Sequence, residues 1–296
     1  MDLERALDVT EECIQAFAGV GERTGGRVRF YVGPSAVCPE ADPDDAFARS
    51  QVSGVKRLVE RYGTGFHAHA YAGMVRAAYA IEPELFGPHA CLAHCAGIGA
   101  DEIDILARTG TAASHGPLTH AYALNRFGVI EALDAGVNVV VSTDGSSPDR
   151  NFDLIGQARI AGQLQRAHFA DSSLLPSGKL LGMITIDAAR ALGMEAEVGS
   201  LEAGKRADVI LLDARQAHLA PDFTAPLRVI GHASGHDVVT VVVDGRILME
   251  ERNVVGVNEG AILDGAEAAF AAAWERTGFG DWDEQHADTW FGVRYR

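Results

Sequence analysis

The sequence has no apolar run near the roughly 18 residues that a membrane span needs, so nothing in it is expected to cross a bilayer. Residues 1–20 lack the basic start and apolar centre of a secretory signal, carrying Asp2, Glu4, Glu11 and Glu12 instead, and the expected location is cytoplasmic. Cationic side chains are also scarce: 25 Lys and Arg against 41 Asp and Glu leave a formal charge of −16. Binding to a nucleic-acid backbone relies on clustered cations that displace counterions, so nucleic acid is not an expected partner. A small molecule, neutral or cationic, is. The four cysteines, Cys13, Cys38, Cys91 and Cys95, form no C-x-x-C pair and read as reduced, buried packing residues. The H-x-E and P-C-x-x-C signature of the nucleic-acid and cytidine deaminases is missing, which sets that zinc class aside.

What is present is an ordinary globular composition, 47% hydrophobic over 296 residues, enough to bury a substantial core. Leu3, Leu7, Ile14 and Phe17 fall on one face of an opening helix stopped by Gly19 and Gly21. Strands and helices then alternate without an internal repeat. Strands are predicted at Arg27–Val32, Gly65–Tyr71, Ala90–Cys95, Thr111–Ser114 and Val137–Asp144. Helices are predicted at Asp44–Tyr62 (Phe47, Val55, Leu58 and Val59 inward), Gly73–Ile81, Ala100–Arg108, Leu124–Ala135 and Asn151–Arg166. Five such pairs with near-continuous apolar strands indicate a parallel α/β sheet.

After Gly193 the texture changes to a Gly-punctuated turn and strand over Val198–Asp213. A hairpin follows, Val238–Val243 and Arg246–Glu250, around Asp244-Gly245, a strong two-residue turn signal. A helix over Ile262–Arg276 and an acidic, aromatic tail complete the chain. The expected division is 1–195 for the α/β portion, 196–255 for a small β unit and 256–296 for the helix and tail.

In parallel α/β folds the working groups collect at the C-terminal ends of strands, where the loops converge. Four successive strands end in such groups: His67 and His69, then His94, then His115, then Asp144 in Thr143-Asp144-Gly145. Alternation puts His67 and His69 on one side of their strand. Neutral imidazoles and a carboxylate from separate strands suit a divalent cation such as zinc, which lowers the pKa of bound water to about 7. The bland readings are a hydrogen-bonded structural histidine for each His and a helix or turn cap for Asp144.

The ordered set His67-Ala68-His69, Leu92-Ala93-His94-Cys95, Ser114-His115-Gly116-Pro117, Ala135-Gly136-Val137 through Ser142-Thr143-Asp144-Gly145, Gly199–Asp208, and Ala233–Asp237 with Val241–Gly245 resembles the amidohydrolase superfamily. Its nearest branch holds triazine hydrolases, adenosylhomocysteine and guanine deaminases and cytosine-deaminase-like enzymes. The resemblance covers nearly the whole chain. It implies a partial (β/α)₈ barrel of the TIM type, strands four to eight, with part of the composite β-sandwich these enzymes append. It implies His69 and Asp144 as metal ligands, Asp144 also as acceptor of the water's proton, and His94 as the residue that polarises the group under attack. His115 and His67 are implied as substrate or outer contacts, zinc as the ion with iron as the alternative, and a homodimer as a common family state.

Two departures accompany the resemblance. The family's first strand supplies an H-x-H ligand pair, and nothing before Arg27 can be that strand, so the N-terminal third of the fold is expected to be absent. Deaminases of this branch also place a Glu three residues after the ligand His, where this sequence has Ala72. A general acid is commonly worth about 10²–10⁴-fold, so His120 or Tyr71 would have to move the proton. The expected function is hydrolysis of a non-peptide carbon–nitrogen bond in a heterocycle or amide by metal-activated hydroxide. The alternative is an inactive fragment or binding protein that retains the fold.

Overall fold

The computed structural model describes residues 2–145 and 152–278. Helix α1 (Leu3–Arg23) precedes strand β1 (Tyr31–Val32), and the α/β alternation follows: α2 (Ala46–Tyr62), β2 (Gly65–Tyr71), α3 (Met74–Ile81), β3 (Ala90–Ala96), α4 (Ala100–Thr109) and β4 (Ala112–His115). Two short helices, α5 (Pro117–Tyr122) and α6 (Val129–Asp134), lead to β5 (Val139–Val141), after which come α7 (Leu154–Phe169), α8 (Ser177–Met183) and α9 (Ile186–Ala191). The remainder is β6 (Val209–Leu212), α10 (Ala225–His232), β7 (Val238–Val243), β8 (Arg246–Glu250), β9 (Asn253–Val254) and α11 (Glu259–Thr277).

Local chemistry sets these boundaries. The Asp45 carboxylate accepts the Ala48 N–H at 2.7 Å, capping α2, and Gly63 ends that helix at φ 57°, a left-handed conformation that suits glycine. At the Asp244-Gly245 turn both residues have positive φ, as a two-residue turn matched to the strand twist requires.

All five strands β1 to β5 pair in parallel and in sequence order, the expected parallel α/β sheet; β6 to β9 form a separate four-stranded antiparallel sheet. Among the described residues this C-terminal unit is one sheet, not a two-sheet sandwich. Register and alternation give the parallel sheet two distinct faces. Phe66, Leu92, Ala113 and Val139 look towards the helices and join one core with Val52, Leu58, Leu106 and Leu180. His67 and His69 look the other way, in register with Cys91 and Ala93. On that face Cys91, Ala112 and Val140 form a small cluster under Ala188 and Ala191 of α9, while the β2 end stays open.

Several sequence expectations are corrected. Only Tyr31 and Val32 join the sheet, because Arg27 reaches out to Asp244 (3.0 Å) and Arg29 to Glu197, anchoring this stretch to the C-terminal unit. The helix expected over Leu124–Ala135 is confined to α6, and an unforeseen turn of helix, α5, starts at Pro117, whose fixed φ suits a first helical position. Phe47 and Phe17 are exposed, Phe17 stacking on Phe30. Helix α1 runs through Gly19 and Gly21 to Arg23. Cys38, Cys91 and Cys95 are buried and free, but Cys13 is only half-buried. The acidic, aromatic tail lies outside the described residues, apart from its first two, Thr277 and Gly278. Among the described residues no helix is long and apolar enough to cross a membrane.

Candidate active site

The candidate site forms where β2, β3 and the β5 exit converge. β2 has the strictest alternation in the sheet: Phe66, Ala68 and Ala70 are buried, and His67, His69 and Tyr71 are exposed on the open face. His69 is held at both ends. Its carbonyl accepts the Val37 N–H at 2.9 Å, and its ring Nδ1 lies 2.6 Å from the Ser35 carbonyl. A carbonyl only accepts, so the proton sits on Nδ1 and Nε2 keeps a lone pair, the arrangement a metal-ligating imidazole uses.

His94 reaches the same place by a different device. In register with Ala70, it should point into the helix-side core. Instead the pairing slips between Ala70 and Tyr71, and His94 (φ 67°) and Cys95 (φ 52°) both adopt left-handed backbone. This bulge re-aims the ring onto the open face, where it stacks on His69 at 4.9 Å and Tyr71 at 5.7 Å between centroids. Left-handed conformations at non-glycine residues are strained and cluster at functional positions. Burial lowers the His94 pKa, opposed by the nearby Asp144 carboxylate.

Asp144 is itself left-handed (φ 61°), and both its oxygens are engaged: Oδ1 accepts the Gly145 N–H at 2.8 Å and Oδ2 accepts the Thr119 hydroxyl at 2.9 Å. The carboxylate is thus oriented by α5, an element the sequence did not announce.

His115 lies elsewhere. In register with Val141, it points to the helix side of β4 and is 1% exposed. Burial pushes its pKa down to about 3, so it is neutral. It meets the site only through His120, whose ring is 4.9 Å from His115 and 6.0 Å from His94. His67, one turn of the pleat below His69, is on the open face without ring contact to the others. Position 72 is an exposed alanine. The nearby Glu102 does not replace the missing acid: its buried carboxylate accepts the N–H groups of Gly73, Val75, Arg76 and Gly99, which ties it to the start of α3.

His69 Nε2 and the Asp144 carboxylate are donors of the right kind for a divalent cation, and each neighbours His94, His69 by stacking and Asp144 through its charge. Among the described residues, however, no group of three or more His, Cys, Asp or Glu is spaced to hold a metal ion, and catalytic zinc generally has three protein ligands.

A sequence profile of the amidohydrolase family matches residues 4–248. The chain belongs to the amidohydrolase family. Over 279 residues it is 30% identical to a 5'-deoxyadenosine deaminase of Methanosarcina mazei, covering 90% of this chain and 62% of that protein. A 5-methylthioadenosine/S-adenosylhomocysteine deaminase of Desulforudis audaxviator is 32% identical over 279 residues, with 89% and 62% covered. The amidohydrolase chain thus spans about 62% of the length of these curated relatives. Among solved structures, atrazine chlorohydrolase from Arthrobacter aurescens complexed with zinc superposes with a TM-score of 0.72 at 24% identity, over 88% of this chain and 60% of that one. An adenosine deaminase from Xanthomonas campestris with bound zinc gives 0.68 at 23% identity, over 74% and 53%. At that level of identity the likeness shows a common α/β fold.

Proposed function

We propose that this chain carries the strand-end half of the metal site of a hydrolase acting on carbon–nitrogen bonds of a heterocycle or amide. Strands β1 to β5 would be the fourth to eighth strands of a barrel, and the chain would divide at 195 and 255 into barrel portion, β unit and C-terminal helix with tail. The observation that carries the reading is His94, stacked on His69 on the open face and lying within reach of the Asp144 charge, with His69 Nδ1 turned to the Ser35 carbonyl.

His69 Nε2 and Asp144 would hold the ion, zinc first and iron as the alternative. A divalent ion there makes water a nucleophile near neutral pH. The chain's own groups do the rest. Asp144, fixed by Thr119, accepts the proton of the attacking water. His94, whose pKa burial lowers, polarises the group under attack. Tyr71 is the side chain left to deliver a proton to the leaving amine, since Ala72 has none to give and the His120 ring proton is held on Nδ1 by Asn125. His67 and His115 act from outside this circle. The relatives named as deaminases of 5'-deoxyadenosine and of 5-methylthioadenosine or S-adenosylhomocysteine make purine nucleosides the first substrates to try.

The absence of an acid at Ala72, with only two such donors among the described residues, favours a second reading: a family member that keeps the fold without turnover. Zinc titration followed by equilibrium dialysis separates the two. In the first, wild-type protein binds zinc and either His69→Ala or Asp144→Asn weakens binding at least about tenfold, the usual scale for a lost ligand or its support. If both variants bind as the wild type does, the ligand assignment is wrong. If wild-type protein shows no specific binding, the second reading stands.

A further inference from the structure

Behind the candidate site, between β4, α5 and α7, lies a separate cavity of about 200 Å³. Its walls hold almost every unpartnered buried polar atom among the described residues: both ring nitrogens of His115, His120 Nε2, Gln165 Oε1 and Arg126 Nε. Buried polar groups are ordinarily hydrogen-bonded, and leaving one unmet costs its full desolvation. Five around one chamber indicate an occupant. His115 is 1%, His120 3% and Gln165 3% exposed, so the polar lining is part of the interior, while the exposed Asn125 and His168 mark an opening to solvent.

The lining specifies the occupant's chemistry. Arg126 Nε–H and one N–H of neutral His115 donate. Gln165 Oε1 and the other His115 nitrogen accept, and so does His120 Nε2, because the Asn125 amide oxygen 2.6 Å from Nδ1 takes the ring proton. The site therefore wants a carbonyl with two lone pairs and several N–H donors. It does not favour an anion: the Arg126 charge is already paired with Glu131 at 2.8 Å, and a carboxylate would face three acceptors. Phe127 and Leu164 supply apolar walls. The volume is ample for a group of a few non-hydrogen atoms.

We propose that this chamber is a second small-molecule site that binds a planar, neutral amide or urea group. It requires neither metal nor turnover; His115 is the wall residue it shares with the hydrolase reading, and its test leaves that residue unchanged.

Ligand-observed NMR on the full chain with three probes of one shape tests it: acetamide, acetone, which has no N–H, and acetate, which is charged. Acetamide should bind with a dissociation constant on the order of millimolar, as so small a ligand allows. Acetone and acetate should bind at least about tenfold more weakly. Gln165→Leu, which removes a buried acceptor while keeping shape, should weaken acetamide by a similar factor, as should Arg126→Met on the outer wall, so that a misfolded variant of one leaves the other to decide. No acetamide binding, equal binding of all three probes, or unchanged affinity in both variants would overturn the proposal and leave a water-filled chamber.

Discussion

On the helix-facing side of the parallel sheet Phe66, Leu92, Ala113 and Val139 lie in adjacent strands with no exposure at all, whereas across the same strands His67 and His69 stand in solvent and only the β3 to β5 end is covered, by α9. One face was built to exclude water and the other to present groups to it. The division of labour is nearly complete: side chains that stabilise the chain and side chains that would do its chemistry seldom share a face. The exceptions are instructive. His94 belongs by register to the dry face and is turned over by a bulge, and His115 stays on the dry face as a neutral, buried ring.

The largest test of this contrast is a pair of truncations. Phe66→Ala should cost about 3–5 kcal/mol of stability in urea denaturation, while His67→Ala on the open face should stay within about 0.5 kcal/mol. Comparable losses would erase the distinction. Acid comes next. His115 has a folded pKa of about 3, far below the ordinary value of about 6.5. Between those values the unfolded chain binds a proton that the folded chain refuses, so stability falls as pH drops below about 6.5, by up to about 1.4 kcal/mol per pH unit for that residue. Urea midpoints between pH 7.5 and 5.5 would record it (both values are about one unit either side of the ordinary histidine range). His115→Gln should flatten the slope, and an unchanged slope would mean that the ring is not the group responsible.

A thiol probe should sharpen the comparison further with little energetic effect. Burial pushes the Cys91 thiol up to about 12 and raises Cys38 and Cys95 as well, so these three should react with a disulfide reagent only on unfolding while half-buried Cys13 reacts first. Prompt modification of Cys91 would show that α9 does not seal its end of the open face. The smallest effect is expected outside both faces: Leu211→Ser on the exposed antiparallel sheet, where Leu211 is 52% exposed, should change stability by no more than about 0.5 kcal/mol.

The sequence disclosed the dry face well, because period-two and period-3.6 patterns are what burial imposes: β2, β7 and β8 fall where alternation and the Asp-Gly turn put them. It disclosed the strand-end groups by residue type and order. It could not disclose their orientation. The grip of Ser35 on His69 joins residues 34 apart, and that of Thr119 on Asp144 depends on α5, whose six residues are too few for a periodic signal. The second chamber was invisible for a similar reason. Arg126 and Gln165 are ordinary surface-type residues in sequence, and only the packing of α7 against α5 brings them opposite His115.

The bulge at His94-Cys95 makes the candidate site depend on a count, not only on an identity. The extra residue is Cys95, left unpaired between His94, in register with Ala70, and Ala96, in register with Tyr71, and accommodating it puts His94 and Cys95 in the left-handed backbone that turns the His94 ring to the open face. Deleting Cys95 would leave every proposed functional residue in the chain and yet return the ring to the core side, an arithmetic loss that no inspection of the site's residue types would detect.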